Sequence, residues 1–292
     1  FWFFIKKQIM NKKTTITKII IKPKKKWFDI NLREIWDYRD LMGLMIRRDF
    51  VATYKQTLLG PFWYIITPLF NIVVYSFIFN KIAGISTEGV PPLLFYLTGL
   101  TLWSYFSTVL TNTSNTFVAN AAIFGKVYFP RLIIPISVSI SSMIRFLIQF
   151  ILLFIFIIVY YFLGYNTHFS IFTILIPVIF IITAVLALGF GIIISSLTTK
   201  YRDLQNFLAF GMQLWLFITP IVYPVSAIPE KFKWIVMINP VTPLIDAFKY
   251  GIIGVGNVSV YGLIYSLCFT LVVFATGVLI FNKVEGNFMD TV

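Results

Sequence analysis

The chain has 292 residues, of which 59% are hydrophobic and 12% are charged, and its formal net charge is +13. A soluble domain carries about 25% charged residues, and the few polar side chains here could not cover the surface of soluble domains of this length. The composition therefore predicts an integral membrane protein and excludes an ordinary soluble protein.

The positive charge is concentrated at the start of the chain. More than half of the Lys and Arg residues lie within residues 1–60, where they are interleaved with acidic side chains such as Glu34, Asp37, Asp40 and Asp49. A basic segment of mixed charge beside apolar stretches is typical of a membrane surface and not of a nucleic-acid groove. We therefore expect membrane lipids, and no nucleic acid, as partners.

The uncharged intervals define the candidate membrane spans, because a span needs about 20 apolar residues and a charge at its centre costs about 3 kcal/mol. The predicted fold class is an all-α integral membrane protein with six transmembrane helices, an N-terminal amphipathic interface helix and short re-entrant helices before the last span. We divide the chain into an unassigned basic extension at 1–29, a cytoplasmic interface helix at 30–59 and a transmembrane domain at 60–292. The spans are placed at about 61–80, 93–118, 140–163, 171–197, 204–224 and 260–281.

The residues from Arg33 to Arg48 have the period of an amphipathic helix. So much polar character predicts a helix that lies in the membrane interface and does not span it, either as an anchor or as a lever that touches a cytoplasmic partner. Gly60 and Pro61 are predicted to break this helix and to start the first span. The apolar face consists of Ile35, Tyr38, Met42, Met45 and Ile46, and the charged face of Asp37, Asp40, Arg47 and Arg48.

The distribution of Lys and Arg between the spans predicts that both termini are cytoplasmic. Arg145 is set apart, since its depth depends on where the third span begins. If the small and polar stretch "ISVSISS" (136–142) forms a turn, Arg145 lies at the cytoplasmic edge and can snorkel, which we favour; otherwise it lies deep and contacts an anionic substrate group. The basic residues then assigned to the outer side are Lys81, Lys231, Lys233 and Lys249.

The connection between the last two spans, at about 226–254, is too long for a tight loop, and Pro229, Pro240 and Pro243 interrupt it. Apolar pieces of about ten residues are typical of re-entrant or interfacial segments. We predict two short helices that dip into the outer leaflet and form a gate region that includes Trp234.

Catalytic and cofactor motifs are scarce. His168 stands alone in a predicted outer loop, and Cys268, the single cysteine, is expected to be a buried inert thiol. The sequence contains no GxxxxGK[ST] phosphate loop, so the chain cannot bind ATP in the P-loop manner, and "GFG" at 189–191 is interpreted as helix packing. Since the spans carry no ionisable residue apart from Arg145, ion-coupled transport is disfavoured. We therefore predict a transport subunit, not an enzyme, that binds no cofactor or metal and is driven by a separate ATPase.

Four segments follow one another along the chain: "LREIWDYRDLMGLMIRRDFVATYKQTLLGPFWYIITPL" (32–69), "NAAIFGKVYFPRLIIPIS" (120–137), "YRDLQNFLAFGMQLWLFITPIVYP" (201–224) and "IPEKFKWIVMINPVTPLIDAFKYGIIG" (228–254). Together they resemble the permease subunits of polysaccharide exporters of the ATP-binding-cassette (ABC) superfamily, the group that exports O-antigen and teichoic acid chains. The resemblance implies a lipid-linked polysaccharide as substrate and a place in the bacterial cytoplasmic (inner) membrane. It also implies a homodimer of permeases with two copies of a cassette ATPase, which bind ATP and Mg²⁺. An ABC exporter of a drug or a lipid is the alternative.

In this family the cytoplasmic loop between the second and third spans couples the permease to its ATPase. The resemblance places that loop at "FGKVYFPR" (124–131). Arg48 and Asp49 of the interface helix are predicted to take part in the same coupling. Tyr128 and Phe129 are suited to fill an apolar groove on a partner; an ordinary basic loop with aromatic membrane anchors is the alternative. The coupling residues within the loop are Phe124, Lys126, Tyr128, Phe129, Pro130 and Arg131.

Aromatic and basic side chains are the candidates for substrate contacts. The C–H face of a pyranose stacks on aromatic rings, although Trp and Tyr are also expected at bilayer interfaces; the resemblance favours the first and fifth spans as the pore. The predicted stacking residues are Phe62, Trp63, Tyr64, Trp103, Trp215, Phe217 and Tyr223. The basic residues that would attract a polyprenyl-pyrophosphate head group at the inner surface are Arg47, Arg48, Lys55 and Arg202.

Overall fold

The computed structural model describes residues 32–55, 57–124, 129–165, 171–201 and 203–288. Within these ranges the regular structure is entirely helical, which confirms the predicted all-α class. In chain order, the α-helices are α1 Leu32–Asp37, α2 Arg39–Tyr54, α3 Trp63–Tyr75, α4 Pro92–Ser114, α5 Thr116–Phe124, α6 Ile133–Phe162, α7 Ile176–Thr198, α8 Leu204–Ile218, α9 Glu230–Ile238, α10 Thr242–Ile253 and α11 Val260–Phe288. The 3₁₀ turns Gly60–Phe62, Ile171–Leu175 and Val225–Ala227 lie before α3, α7 and α9, and a π-helical segment, Ser76–Ile82, continues α3.

In the described part of the chain, five helical segments are long and apolar enough to cross a membrane. They contain α3, α4, α6, α7 and α11 and correspond to five of the six predicted spans. The remaining predicted span, 204–224, corresponds to α8, whose 15 residues extend about 22 Å at 1.5 Å per residue, less than the roughly 30 Å of a hydrocarbon core. The helix stops before Pro220 because a proline disfavours the helical conformation in the residue before it, and Thr219 is extended with ψ of 138°.

The helix α6 begins at Ile133, earlier than the predicted third span. The stretch 136–142 is helical, so the prediction of a turn there is wrong. Its serines fit a helix because a hydroxyl can donate to a carbonyl of the preceding turn, as Ser137 Oγ does to the Ile134 oxygen at 2.8 Å. Arg145 therefore lies within a 30-residue helix and not at its edge.

The centre of the helix bundle is α4, which packs against α6, α7 and α10. Gly191 of α7 allows close approach, since a Cβ at that position would lie 2.6 Å from Cβ of Thr113 in α4. Helix α7 also packs on α11, where a Cβ at Gly277 would lie 2.9 Å from the Gly189 carbonyl oxygen. Both glycines of "GFG" thus lie at helix contacts, which confirms the packing interpretation.

The helices α3 and α8 are only sparsely covered by the rest of the chain. Only 11% of the apolar window of the first span is buried within the chain, against 78% for α4. Cys268 on α11 is also exposed, so the prediction of a buried thiol is wrong. Large aromatic side chains are exposed along both helices and the turn before α3: Phe62, Phe70, Phe77, Phe207, Phe210 and Phe217.

The predicted interface helix consists of α1 and α2, with a break at Tyr38. Its apolar face packs onto a cluster of buried residues from α5, α6, α7 and α11, in which Met45 is the buried contribution of α2. This cluster marks what we call the interface end of the bundle. The charged residues of the opposite face, Asp37, Asp40, Arg47 and Arg48, are exposed, as the periodicity predicted.

The segment between α2 and α3 differs from the prediction in one respect. Helix α2 already ends at Tyr54, and Lys55 is extended, so Gly60 and Pro61 do not end it. They do begin the first span, because Pro61 lies in the first turn of the 3₁₀ segment, where its missing N–H has no helical partner to lose.

The gate region, residues 226–254, contains two short helices, α9 and α10, as its prolines predicted. Lys249 of α10, which the charge distribution assigned to the outer side of the membrane, is not a surface residue, because its side chain is only 2% exposed. Its Nζ donates hydrogen bonds to the carbonyl oxygens of Pro220 at 2.7 Å and Ile221 at 3.1 Å and lies 3.8 Å from the centre of the Phe95 ring. These contacts compensate the ammonium for the water that it loses on burial.

Candidate functional site

Two adjoining cavities lie among α3, α4 and α6. The first, which we call the polar cavity, has a volume of about 380 Å³ and extends from Arg48 and Asp49 of α2 to Arg145 of α6. The second, which we call the aromatic groove, has a volume of about 480 Å³ and continues along α3 and α4. Tyr64, Thr108 and Arg145 line both, so the two cavities meet at these three residues.

Arg145 is held at this junction by two neighbouring helices. The guanidinium carbon lies 4.5 Å from the centre of the Tyr64 ring of α3, and Nη1 donates a hydrogen bond to Thr108 Oγ1 of α4 at 3.2 Å. Both of these contacts are with neutral side chains, and no carboxylate among the described residues forms an ion pair with Arg145. Asp49, at the far end of the polar cavity, is bound by Arg48 at 2.8 Å.

The aromatic groove contains three of the predicted stacking residues, Trp63, Tyr64 and Trp103. Trp103 is 4% exposed, so most of its ring is used in packing and little of it is available to the groove. The other lining residues include a fourth aromatic, Tyr75, and side chains that can form hydrogen bonds: Thr67, Asn71, Ser104, Ser107 and Gln149. Rings beside hydroxyl and amide groups suit a sugar, which has both C–H faces and hydroxyls.

The other predicted stacking residues lie elsewhere. Phe62 is exposed before α3 and does not line the groove. Trp215 lies behind Trp103, with the two ring centres 6.4 Å apart. Phe217 and Tyr223 line a separate apolar groove beside α9, and the Tyr223 hydroxyl donates to the Phe217 carbonyl oxygen at 2.8 Å.

The described part of the predicted coupling loop is buried within the chain. Phe124 and Phe129 are each 4% exposed, their ring centres are 5.7 Å apart, and Arg131 lies over the Phe124 ring at 5.2 Å. Pro130 is buried as well. The Phe129 ring fills the core at the interface end and does not project from the chain, so its contact with a groove of a partner stays a prediction.

The remaining residues of the loop, Lys126 and Tyr128, lie outside the described residues, as do Arg202, His168 and the extension 1–29. A role of the loop in coupling stays a prediction.

The basic residues of α2 differ in their surroundings. Arg47 and Lys55 are exposed, whereas Arg48 forms an ion pair with Asp49 and lines the polar cavity. An exposed pair of this kind contributes at most about 1 kcal/mol to stability. The positions of Arg47 and Lys55 leave them accessible to a lipid head group or a protein partner.

A hydrogen-bonded junction joins the end of α8 to the gate region. Asn239 Oδ1 accepts from Trp215 Nε1 at 3.0 Å, and Asn239 Nδ2 donates to Thr219 Oγ1 at 2.9 Å. Lys249 supplies the second connection, to the carbonyls after α8. Burial lowers the pKa of the Lys249 ammonium, and the neighbouring carboxylate of Asp246 opposes this shift. The end of α8 is thus tied to both gate helices by side chains.

The predicted gate residues occupy the ends and surface of α9 and α10. Pro229 directly precedes α9, and Trp234 is 61% exposed on that helix. Pro240 is buried in the turn between the two helices, and Pro243 lies in the first turn of α10. Prolines at helix starts are expected, because the N–H groups of the first turn have no helical partner.

Sequence reasoning missed most of the polar lining of both cavities. A signal was present, because the polar residues recur at helical spacing on otherwise apolar helices. On α3 the pair is Thr67 and Asn71, and on α6 the series ends with Arg145 and Gln149. Only the packing of α3, α4 and α6 shows that these stripes face one another.

Comparisons with known proteins agree with this architecture. The model of the family described as "ABC-2 type transporter" matches residues 40–253, from α2 to the end of α10. An "O-antigen export system permease protein RfbA" of Klebsiella pneumoniae is 33% identical over 253 residues, which are 86% of this chain and 94% of that protein. A second Klebsiella pneumoniae protein with that name is 32% identical over 256 residues, with the same coverage. A Myxococcus xanthus protein, also so named, is 26% identical over 220 residues, which are 75% of this chain and 82% of the relative.

Proposed function

Because the chain belongs to the ABC-2 type transporter family, we propose that it exports a lipid-linked polysaccharide, of the O-antigen or teichoic acid kind, across the bacterial cytoplasmic membrane. The chain is a multi-pass membrane protein and the permease subunit of an ABC exporter, not an enzyme, as the relatives named permease proteins indicate. ATP hydrolysis belongs to a separate nucleotide-binding subunit, which would bind ATP and Mg²⁺.

The aromatic groove is the observation that carries the polysaccharide proposal. It combines the rings of Trp63, Tyr64 and Tyr75 with hydroxyl and amide side chains in one cavity. The apolar chains of a lipid would form no hydrogen bonds with the hydroxyl and amide groups, and a small ion would not need a stacking surface. Stacking on a ring is also tolerant of sugar identity, which suits a chain of many sugars.

The assembly that we propose is a permease homodimer with two cassette ATPases. The exposed aromatic side chains of α3 and α8 would then face the second copy or the lipid. Both termini would be cytoplasmic, since basic residues are concentrated at the start of the chain. Exposed Arg47 and Lys55 would attract the anionic head group of a polyprenyl-pyrophosphate-linked glycan at the inner surface, whereas the charge of Arg48 is balanced by Asp49.

In the proposed cycle, closure of the ATPase on ATP moves α2 and the loop 124–131. These parts share one buried cluster, which contains Met45 of α2 and Phe129 of the loop, so movement of one would be transmitted to the other through packed side chains. Since α2 also lines the polar cavity through Arg48, its movement would change the entrance of the path. The gate region would open at the other end of α4.

The test is ATP-dependent transfer of a polyprenyl-pyrophosphate-linked glycan across proteoliposomes that contain the permease and its ATPase. Trp63→Ala should slow transfer by about threefold to tenfold through the loss of a stacking surface. The control is Tyr261→Ala, because Tyr261 is 86% exposed at the start of α11 and should leave transfer unchanged. If the complex transfers drugs or simple lipids and no glycan, the proposal is wrong and the alternative, a drug or lipid exporter, holds.

A further inference from the structure

We propose that Arg145 and the polar cavity form a binding site for a phosphate or pyrophosphate group, the anionic head group of the transported lipid. The proposal rests on the proposed function for the lipid source of this group. The site is distinct from the surface residues Arg47 and Lys55, since Arg145 lies in the middle of a membrane helix.

The charge balance of the polar cavity supports an anionic ligand. Its ionisable lining residues are Arg48, Asp49 and Arg145. Arg48 and Asp49 neutralise each other at 2.8 Å, so the charge of Arg145 is left without a carboxylate among the described residues. An ionised side chain within a membrane helix is costly unless it has a partner, and an anionic group in the adjacent cavity would supply one.

The geometry of Arg145 leaves hydrogen-bond donors for that group. A guanidinium carries five N–H donors, and among the described residues one hydrogen bond is formed, to Thr108. The Tyr64 ring lies against the guanidinium and restricts its movement. A fixed guanidinium edge matches two oxygens of a phosphate at once, which a lysine cannot do.

The size and the rest of the lining are also suitable. A volume of about 380 Å³ falls within the roughly 300–1,000 Å³ of small-molecule sites. Asn112 of α4 lies one helical turn after Thr108 and contributes an amide to the same cavity. The site would place the phosphate at the end of the aromatic groove, where the sugar attached to it could reach Trp63 and Tyr64.

The experiment measures binding of polyprenyl pyrophosphate to the full permease–ATPase complex in nanodiscs, with polyprenol and inorganic pyrophosphate as separate arms. Arg145→Gln should weaken the binding of polyprenyl pyrophosphate by about tenfold to a hundredfold, as expected for a lost hydrogen-bonded charge. The binding of polyprenol should be unchanged. Inorganic pyrophosphate should compete with the lipid on the wild-type complex. Lys81→Gln, which removes the same charge from an exposed position, should bind like the wild type.

A second variant keeps the test decisive if Arg145→Gln does not fold. Position 112 is exposed, and the Asp side chain of Asn112→Asp has nearly the same shape as Asn but adds a negative charge to the cavity. This variant should therefore weaken the binding of polyprenyl pyrophosphate by about tenfold. Wild-type affinity in either folded variant, or an equal loss for polyprenol, would overturn the assignment of Arg145.

The arms also separate this inference from the proposed function. If the wild-type complex binds and transfers the lipid-linked glycan while both variants bind normally, only the site is wrong. If the wild type binds no polyprenyl pyrophosphate, the proposed lipid-linked substrate is wrong as well. If inorganic pyrophosphate binds Arg145-dependently and the lipid does not, the anion site is upheld and the lipid source is wrong.

Discussion

Lys249 donates a hydrogen bond from Nζ to the Pro220 carbonyl oxygen at 2.7 Å and so joins the buried helix α10 to the segment that follows α8. Two carbonyls that could not continue a helix are satisfied by one ammonium group. The gate region and the end of α8 are therefore expected to behave as one structural unit.

Removal of this ammonium should destabilise the protein. Lys249→Met keeps a similar stem but leaves the two carbonyls without a donor and Asp246 without its neighbouring cation, at a cost of about 2–4 kcal/mol. The measurement is thermal unfolding of the purified permease in detergent. The matched control is Lys231→Met, at an exposed position of α9; equal stability of the two variants would contradict the structural role of Lys249.

The junction at Asn239 predicts a local effect. Asn239→Ala removes the acceptor for Trp215 and the donor to Thr219, so amide hydrogen exchange should become faster at the end of α8 and at the start of α10. Asn206→Ala, at an exposed position near the start of α8, serves as the control. Unchanged exchange in the Asn239 variant would show that these hydrogen bonds do not hold the junction.

Phe129 distinguishes core packing from partner contact. Because its ring is buried against Phe124, Phe129→Ala should destabilise the isolated permease by about 3 kcal/mol through the cavity that it leaves. Phe207→Ala, at a position that is 75% exposed, should have a much smaller effect. A Phe129 variant that unfolds like the wild type and only fails to assemble with the ATPase would instead show that Phe129 fills an apolar groove on the ATPase.

Substitution by alanine is expected to have opposite effects at two helical glycines, one at the contact between α4 and α7 and one in α8. Gly191→Ala places a Cβ 2.6 Å from Cβ of Thr113 and should cost about 1–3 kcal/mol through overpacking. Gly211→Ala in α8 meets no atom within 4 Å and should be neutral or stabilising by up to about 1 kcal/mol, because alanine favours a helix. Thermal unfolding of the two variants side by side checks both expectations.

The local sequence pattern predicted the secondary structure correctly where the pattern is compatible with one conformation only. The period of residues 33–48 required a helix with one apolar face, and Met45 of that face is buried as expected. The three prolines of the gate region required short helices, and α9 and α10 are short. The stretch 136–142 failed, because small polar residues suit both a turn and a helix whose serines bond to its own carbonyls.

The sequence by itself determined the membrane class, the apolar segments and the short gate helices, because these depend on composition and on spacing along the chain. It could not determine that Lys249 is buried or that Arg145 joins two cavities. Those facts depend on which helices meet: α10 must pack on α4 to bring Lys249 to Phe95, and α3, α4 and α6 must converge to place Arg145 beside Tyr64 and Thr108. A charge near an apolar helix has the same local sequence whether it faces lipid, water or protein, and only the tertiary structure decides among them.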